Sequence, residues 1–208
     1  MTSKLKEGVM QGVFTLCACV SILAVALICI FLFANGVPTL FKIGPLKFLL
    51  GTTWKPGNDI FGILPMILGS IYVTAGAILV GVPIGLLTAV FLSKAAGPRV
   101  RAVVVTAIEL LSGIPSVVFG LLGMQVLVPA VAKAFGKASG ACLLSAIVVL
   151  SIMILPSIVS VSVTALNAVP PEYEQGSLAL GATDAETWFK VSVPAARSGI
   201  AAGIVLGI

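Results

Sequence analysis

At 208 residues with 59% hydrophobic and 9% charged side chains, the chain lies far outside globular composition, and several long uncharged runs mark it as a polytopic membrane protein. Its net charge of +5 comes from Lys and Arg in short loops, which reads as a topology signal and not as a nucleic-acid footprint. There is no histidine, so histidine metal sites and histidine acid–base chemistry are excluded, and no cofactor or metal site is expected.

Lys4 and Lys6 precede an apolar run over 13–34. At 1.5 Å per residue this covers about 33 Å, close to one hydrocarbon thickness. A secretory signal would have a shorter apolar core and a small-residue cleavage site, so the run reads as an uncleaved first span with a cytoplasmic N-terminus. Residues 35–61 are mixed, with Pro38, Pro45, Pro56, Trp54, Lys42, Lys47 and Lys55. This segment should lie outside, with a short interfacial helix near 46–50. Its lysines either face an incoming anion or simply meet solvent and headgroups.

The second run, 63–92, is interrupted by Gly81, Pro83 and Gly85, breaks that membrane helices tolerate. Lys94, Arg99 and Arg101 then mark a cytoplasmic loop. The third run, 102–131, contains Glu109, the only acidic residue within an apolar span. Gly113 and Pro115 interrupt the helix just after it, with Ser112 and Ser116 flanking the break. Glu109 is a functional candidate by default. A carboxylate would disfavour an anion path, however, so a partly interfacial ion pair with Arg99 or Arg101 is the expected role. Lys133 and Lys137 mark an outer loop, and a fourth run covers 141–165. Cys17, Cys19, Cys29 and Cys142 all lie in apolar runs without C-x-x-C spacing, and read as small packing residues.

Residues 169–194 carry four of the seven acidic residues. Pro170-Pro171 suits a helix start, and Glu172 and Glu174 fall in the first turn, where the helix dipole favours them. Gly181 supplies a left-handed C-terminal cap. Thr183-Asp184-Ala185-Glu186 has capping-box spacing and starts a second short helix, which carries Trp188 and Phe189 and ends before Pro194. The stretch reads as helix–glycine turn–helix outside the bilayer. A fifth run begins at Ser198, and its eleven residues to Ile208 are too few to span; the expectation is a C-terminally incomplete chain or a remainder supplied by another polypeptide. Inner Lys and Arg number seven (4, 6, 94, 99, 101, 190, 197) and outer ones five (42, 47, 55, 133, 137), a slight positive-inside bias.

Gln175-Gly176-Ser177, Gly181 and Val191-Ser192-Val193-Pro194 match the register of the cytoplasmic loop in ABC importer permeases, which runs Glu-Ala-Ala, three residues, Gly, nine residues, Ile-x-Leu-Pro. The leading Glu is replaced here by Gln175, with Glu174 one place earlier. Phe61-Gly62-Ile63-Leu64-Pro65, Val82-Pro83-Ile84-Gly85 and the string from Glu109 to Gly120 resemble the phosphate ABC transporter permeases of the PstC type. The resemblance implies an all-α, polytopic type I importer permease with about four complete spans and the start of a fifth. It divides into an N-terminal span with external segment (1–61) and a permease core (62–208) whose coupling loop is 169–194. It also implies membrane lipid around the spans, an ATP-binding subunit, a second permease of the PstA type and an external phosphate-binding protein. In that family a segment with Arg and Glu follows the start of the fifth span, beyond the residues read here.

A search for G-x-x-x-x-G-K-[ST] fails at Gly136-Lys137, so ATP hydrolysis is expected in a partner and this chain is not itself an enzyme. Glu174, Gln175, Gly181, Trp188 and Phe189 are the candidates for coupling to that ATPase, the alternative being an amphipathic helix lying on the inner membrane surface. Ser112, Gly113, Pro115, Ser116 and Glu109 are the translocation-path candidates, against plain helix packing. A sulfate or molybdate permease is the nearest rival. A secondary transporter or channel would predict inverted repeats or coupling-ion ligands at mid-depth, and neither is evident.

Overall fold

The computed structural model describes the backbone of residues 2–208 and side chains from residue 7 onward, so the side chains of Lys4 and Lys6 lie outside the described residues. The chain divides into two compact units, 1–67 and 68–208.

In the first unit, α1 (Thr2–Ile43) is apolar on every side and exposed along its described length, the pattern of a helix whose solvent is lipid. It runs nine residues past the expected end of the first span, through Pro38. The polar residues flanking that proline bond back along the helix: Asn35 Nδ2 donates to the Phe31 carbonyl at 2.8 Å and Thr39 Oγ1 to the Asn35 carbonyl at 2.9 Å. Gly44, at φ 91°, turns the chain into α2 (Pro45–Leu50), the expected short helix. A small hairpin that the sequence did not announce follows, β1 (Trp54–Lys55) against β2 (Ile60–Phe61), with Trp54 and Phe61 edge to face at 5.7 Å.

The second unit is organised around α7 (Leu143–Asn167). On one side lies α3 (Leu64–Val90), on another α11 (Arg197–Gly207), and both meet α7 through glycines. A Cβ on Gly81 would fall 2.7 Å from Ile154, and one on Gly85 would fall 2.8 Å from Ile158. Gly199, Gly203 and Gly207, four residues apart on α11, likewise abut Ala165, Val161 and Ile158. Ile158 is fully buried between the two glycine-lined helices. Small residues that let backbones approach are the usual means of helix packing in lipid, where burial alone gives no drive.

The third apolar run is two helices and not one. The helix α4 (Pro98–Ser112) ends at the break, and a second helix covers 116–134: α5 (Ser116–Leu122), a π-turn over Gly123–Leu127 and α6 (Val128–Ala134). Among the described residues, four helices are long and apolar enough to cross a membrane, over 7–43, 64–95, 116–134 and 143–167. After α7 come α8 (Pro171–Ala179), α9 (Asp184–Thr187), a π-turn over Trp188–Ser192 and α10 (Val193–Ala195).

The second short helix does not end before Pro194, as the sequence suggested; it continues to Ala195 and meets α11 at a 72° bend. Proline breaks a helix by clashing with the carbonyl four residues back. Here the π-turn just before it widens the ladder, Val193 N bonding the Trp188 carbonyl five residues back, and the ring fits. Pro129 sits in the same relation to the π-turn over Gly123–Leu127.

Candidate functional site

The helix–turn–helix after α7 forms as its sequence signals dictate. Gly181 has φ 89°. Its N–H donates to the Leu178 carbonyl at 3.0 Å and that of Ala182 to the Ser177 carbonyl at 3.2 Å, the paired bonds of a Schellman cap. Thr183 and Glu186 form a reciprocal capping box: Glu186 N donates to Thr183 Oγ1 at 3.3 Å and Thr183 N to Glu186 Oε2 at 3.2 Å. The Lys190 ammonium at 2.9 Å, with the Thr183 N–H and hydroxyl, holds the Glu186 carboxyl down at about 2. Ser177 and Thr187 share a hydrogen bond of 2.9 Å that clasps the two helices together.

The five coupling candidates do not share one surface. Gln175 is exposed, and so is Phe189. Trp188 turns the other way and packs on the buried cluster of Ala89, Val90, Leu92, Val159, Leu166, Ala196 and Ile200. The tip beside Gly181 is instead occupied by Leu180, 90% exposed, with Tyr173, Leu178 and Phe189 also open. Sequence reasoning passed over Leu180, although its place just before a left-handed glycine puts it at a turn.

Glu174 also faces inward. It forms an ion pair with Lys94, in the π-turn over Phe91–Ala95 that continues α3, and accepts a hydrogen bond of 2.8 Å from Ser192 Oγ. Partial burial pushes the Glu174 carboxyl up, but the hydrogen bonds from Lys94 and Ser192 and the lysine charge outweigh it and hold its pKa below the ordinary value. Lys94 also donates to the Leu166 carbonyl at 3.4 Å, and Ser93 Oγ to Asn167 Oδ1 at 2.8 Å. The end of α3, the end of α7 and the helix pair therefore meet at one end of the unit.

At the break in the third run, Gly113 N donates to the carbonyls of Glu109 and Leu110. Pro115, at φ −58° and ψ 140°, precedes the restart at Ser116. Ser112 and Ser116 line a cleft of about 130 Å³ with Ile114, Phe119 and Met153, Pro156 and Ser157 of α7. Ser157 was not foreseen, although it adjoins a proline that itself interrupts the α7 ladder. Thr88, Ser151 and Thr164 each bond back to a carbonyl four residues earlier. Among the described residues, the side-chain hydroxyls of Ser112, Ser116 and Ser157 have no hydrogen-bond partner, and all three residues line the cleft. Gly113 and Pro115 shape this break, whereas Glu109 stands apart from the cleft.

The expected ion pair of Glu109 with Arg99 or Arg101 is absent: among the described residues the ion pairs are Lys94–Glu174 and Lys190–Glu186. Arg101 lies eight residues back on the same helix, about 12 Å of rise and more than two turns away. The carboxylate is exposed on α4.

Residues 81–208 match the family described as binding-protein-dependent transport system inner membrane component. The chain is 40% identical over 200 residues to the probable ABC transporter permease protein YqgH of Bacillus subtilis, covering 94% of this chain and 65% of that protein. It is 32% identical to the phosphate transport system permease protein PstC of Mesorhizobium japonicum, over 87% of this chain and 61% of that protein. With the PstC of Xylella fastidiosa it shares 33% identity, over 78% of this chain and 56% of that protein. The chain thus spans between 56% and 65% of the length of these relatives.

Proposed function

The chain belongs to the binding-protein-dependent transport system inner membrane components, and from that premise we propose that it is a permease subunit of an ATP-driven phosphate importer. An ATP-binding subunit, a second permease of the PstA type and an external phosphate-binding protein complete the transporter, with the helix pair 169–194 in the cytoplasm. The observation that carries this reading is the doubly capped helix pair with Leu180 exposed at its turn and Leu178, Tyr173 and Phe189 exposed along its helices. Exposed apolar side chains on a capped, hydrogen-bonded scaffold are what a docking partner needs. The phosphate assignment draws on the names of the relatives, PstC among them.

The path runs past the cleft of Ser112, Ser116 and Ser157. Phosphate cannot shed its hydration in hydrocarbon without replacement partners, and three hydroxyls beside broken helices offer them. Gly113 and Pro115 hold the break open.

Complete transporter in vesicles loaded with ATP should take up phosphate in preference to sulfate or molybdate, and the ATPase should co-purify. Leu180→Asp should cut that co-purification about tenfold or more, as expected for a charge placed in an interface core. Uptake of sulfate or molybdate in place of phosphate would reassign the cargo. Transport from membranes stripped of any ATPase would reject the coupling reading.

A further inference from the structure

We propose that Lys94 is a positioning residue for coupling: through Glu174 it is the strut by which the helix pair moves the membrane helices. This inference rests on the docking role proposed for that pair. Glu174 sits in the first helix of the pair, yet its carboxylate points away from the apolar tip and into the molecule. There it meets two groups from different parts of the chain: the Lys94 ammonium at the end of α3, and Ser192 Oγ at 2.8 Å from the π-turn leading to α11. Of the two ion pairs among the described residues, this one joins distant elements; Lys190–Glu186 is a local pair four residues apart.

The surroundings make the contact mechanical. The Lys94 side chain is 12% exposed and that of Glu174 23%, against 74% for Lys190. Ser192 is completely buried. Lys94 makes a further bond to the Leu166 carbonyl, and Ser93 beside it holds Asn167, so the same corner fastens α3 to the end of α7. A charge-assisted contact shielded from water is short and directional. A displacement of α8 therefore reaches α3 and α7 through Lys94 and reaches α11 through Ser192. Lys94 lies in the π-turn over Phe91–Ala95, a segment whose ladder is already loosened and so able to follow.

Removing the ammonium leaves Glu174 half-buried beside an empty space, with Ser192 as its remaining partner. In the complete transporter, reconstituted with its ATPase and its phosphate-binding protein, Lys94→Met should lower phosphate transported per ATP hydrolysed about tenfold, the scale of one lost coupling interaction. The ATPase should still co-purify, because the apolar tip is untouched. Lys94→Arg keeps the charge and the donors and should hold the ratio within about twofold of the original. Glu174→Gln should reproduce Lys94→Met, and combining the two should add little, since both remove one contact.

The inference is overturned if Lys94→Met transports with the original ratio. It is equally overturned if co-purification and ratio fall together, which would make the pair a folding contact, or if Lys94→Arg is as poor as Lys94→Met. Should the unsubstituted protein fail to bind any ATPase, the docking reading itself fails, and that result is distinct from each of these.

Discussion

Two glycines five positions apart in the same short motif, Gly176 and Gly181, do unlike jobs. Gly176 lies inside α8, and a Cβ there would meet nothing within 4 Å, nor is its φ positive. Gly181 also has open space around it, but its φ of 89° is the left-handed region that side chains disfavour. The cost of substituting Gly181 is therefore purely a backbone cost, about 1–2 kcal/mol for alanine and less for asparagine, which tolerates that conformation. Gly181→Ala should speed amide exchange at Ala182, whose N–H closes the cap, several-fold, and Gly181→Asn should do so less; equal protection in all three would show that the cap is not limiting. Gly181 and the capping box of Thr183 and Glu186 were legible because their signals are local: a few adjacent residues hold both partners. The direction of Glu174 was not, because its partner Lys94 lies 80 positions away in sequence. Nor was that of Trp188, since burial against Leu166 and Ala196 depends on how α8 to α11 fold back.

Among the elements, long apolar runs translated into membrane helices with few errors, because in lipid every backbone group must bond within its own helix. The errors fell where a rule of thumb met a local remedy. The first span, expected to end at residue 34, continues past Pro38 to Ile43, and the second short helix, expected to end before Pro194, runs on because the π-turn accommodates the ring. The hairpin over 54–61 has strands of two residues each, too short for any alternation to show. Glycine spacing on α11 sets how closely that helix lies on α7. Gly203 faces Val161, with 3.0 Å between the positions of the two Cβ atoms. Gly203→Leu should force α11 off α7 and destabilise the solubilised protein by about 1–3 kcal/mol, the usual penalty of overpacking. A thermal midpoint unchanged from the parent would mean that the two helices are not locked there.

For the whole molecule, orientation follows from charge once contacts have shown which loops share an end. In unit 68–208 one end carries Lys94, Arg99, Arg101, Lys190 and Arg197, and the other carries Lys133 and Lys137. That is a clearer bias than the loops of the full chain give, and it supports the proposed cytoplasmic side for the helix pair. A single cysteine at Tyr173, in a background where Cys17, Cys19, Cys29 and Cys142 are replaced, should react with an impermeant thiol reagent only in inside-out vesicles. Reaction from outside in intact cells would invert the topology. The corner at Ala196 then decides what kind of motion the pair can deliver. The rod over 184–195 meets α11 at 72°, so a thrust along the rod arrives nearly broadside. Since α11 is keyed by its glycines to α7, and α7 in turn to α3, sliding like a piston is disfavoured; on the proposed docking, the stroke of a bound ATPase would turn the three together as a torque.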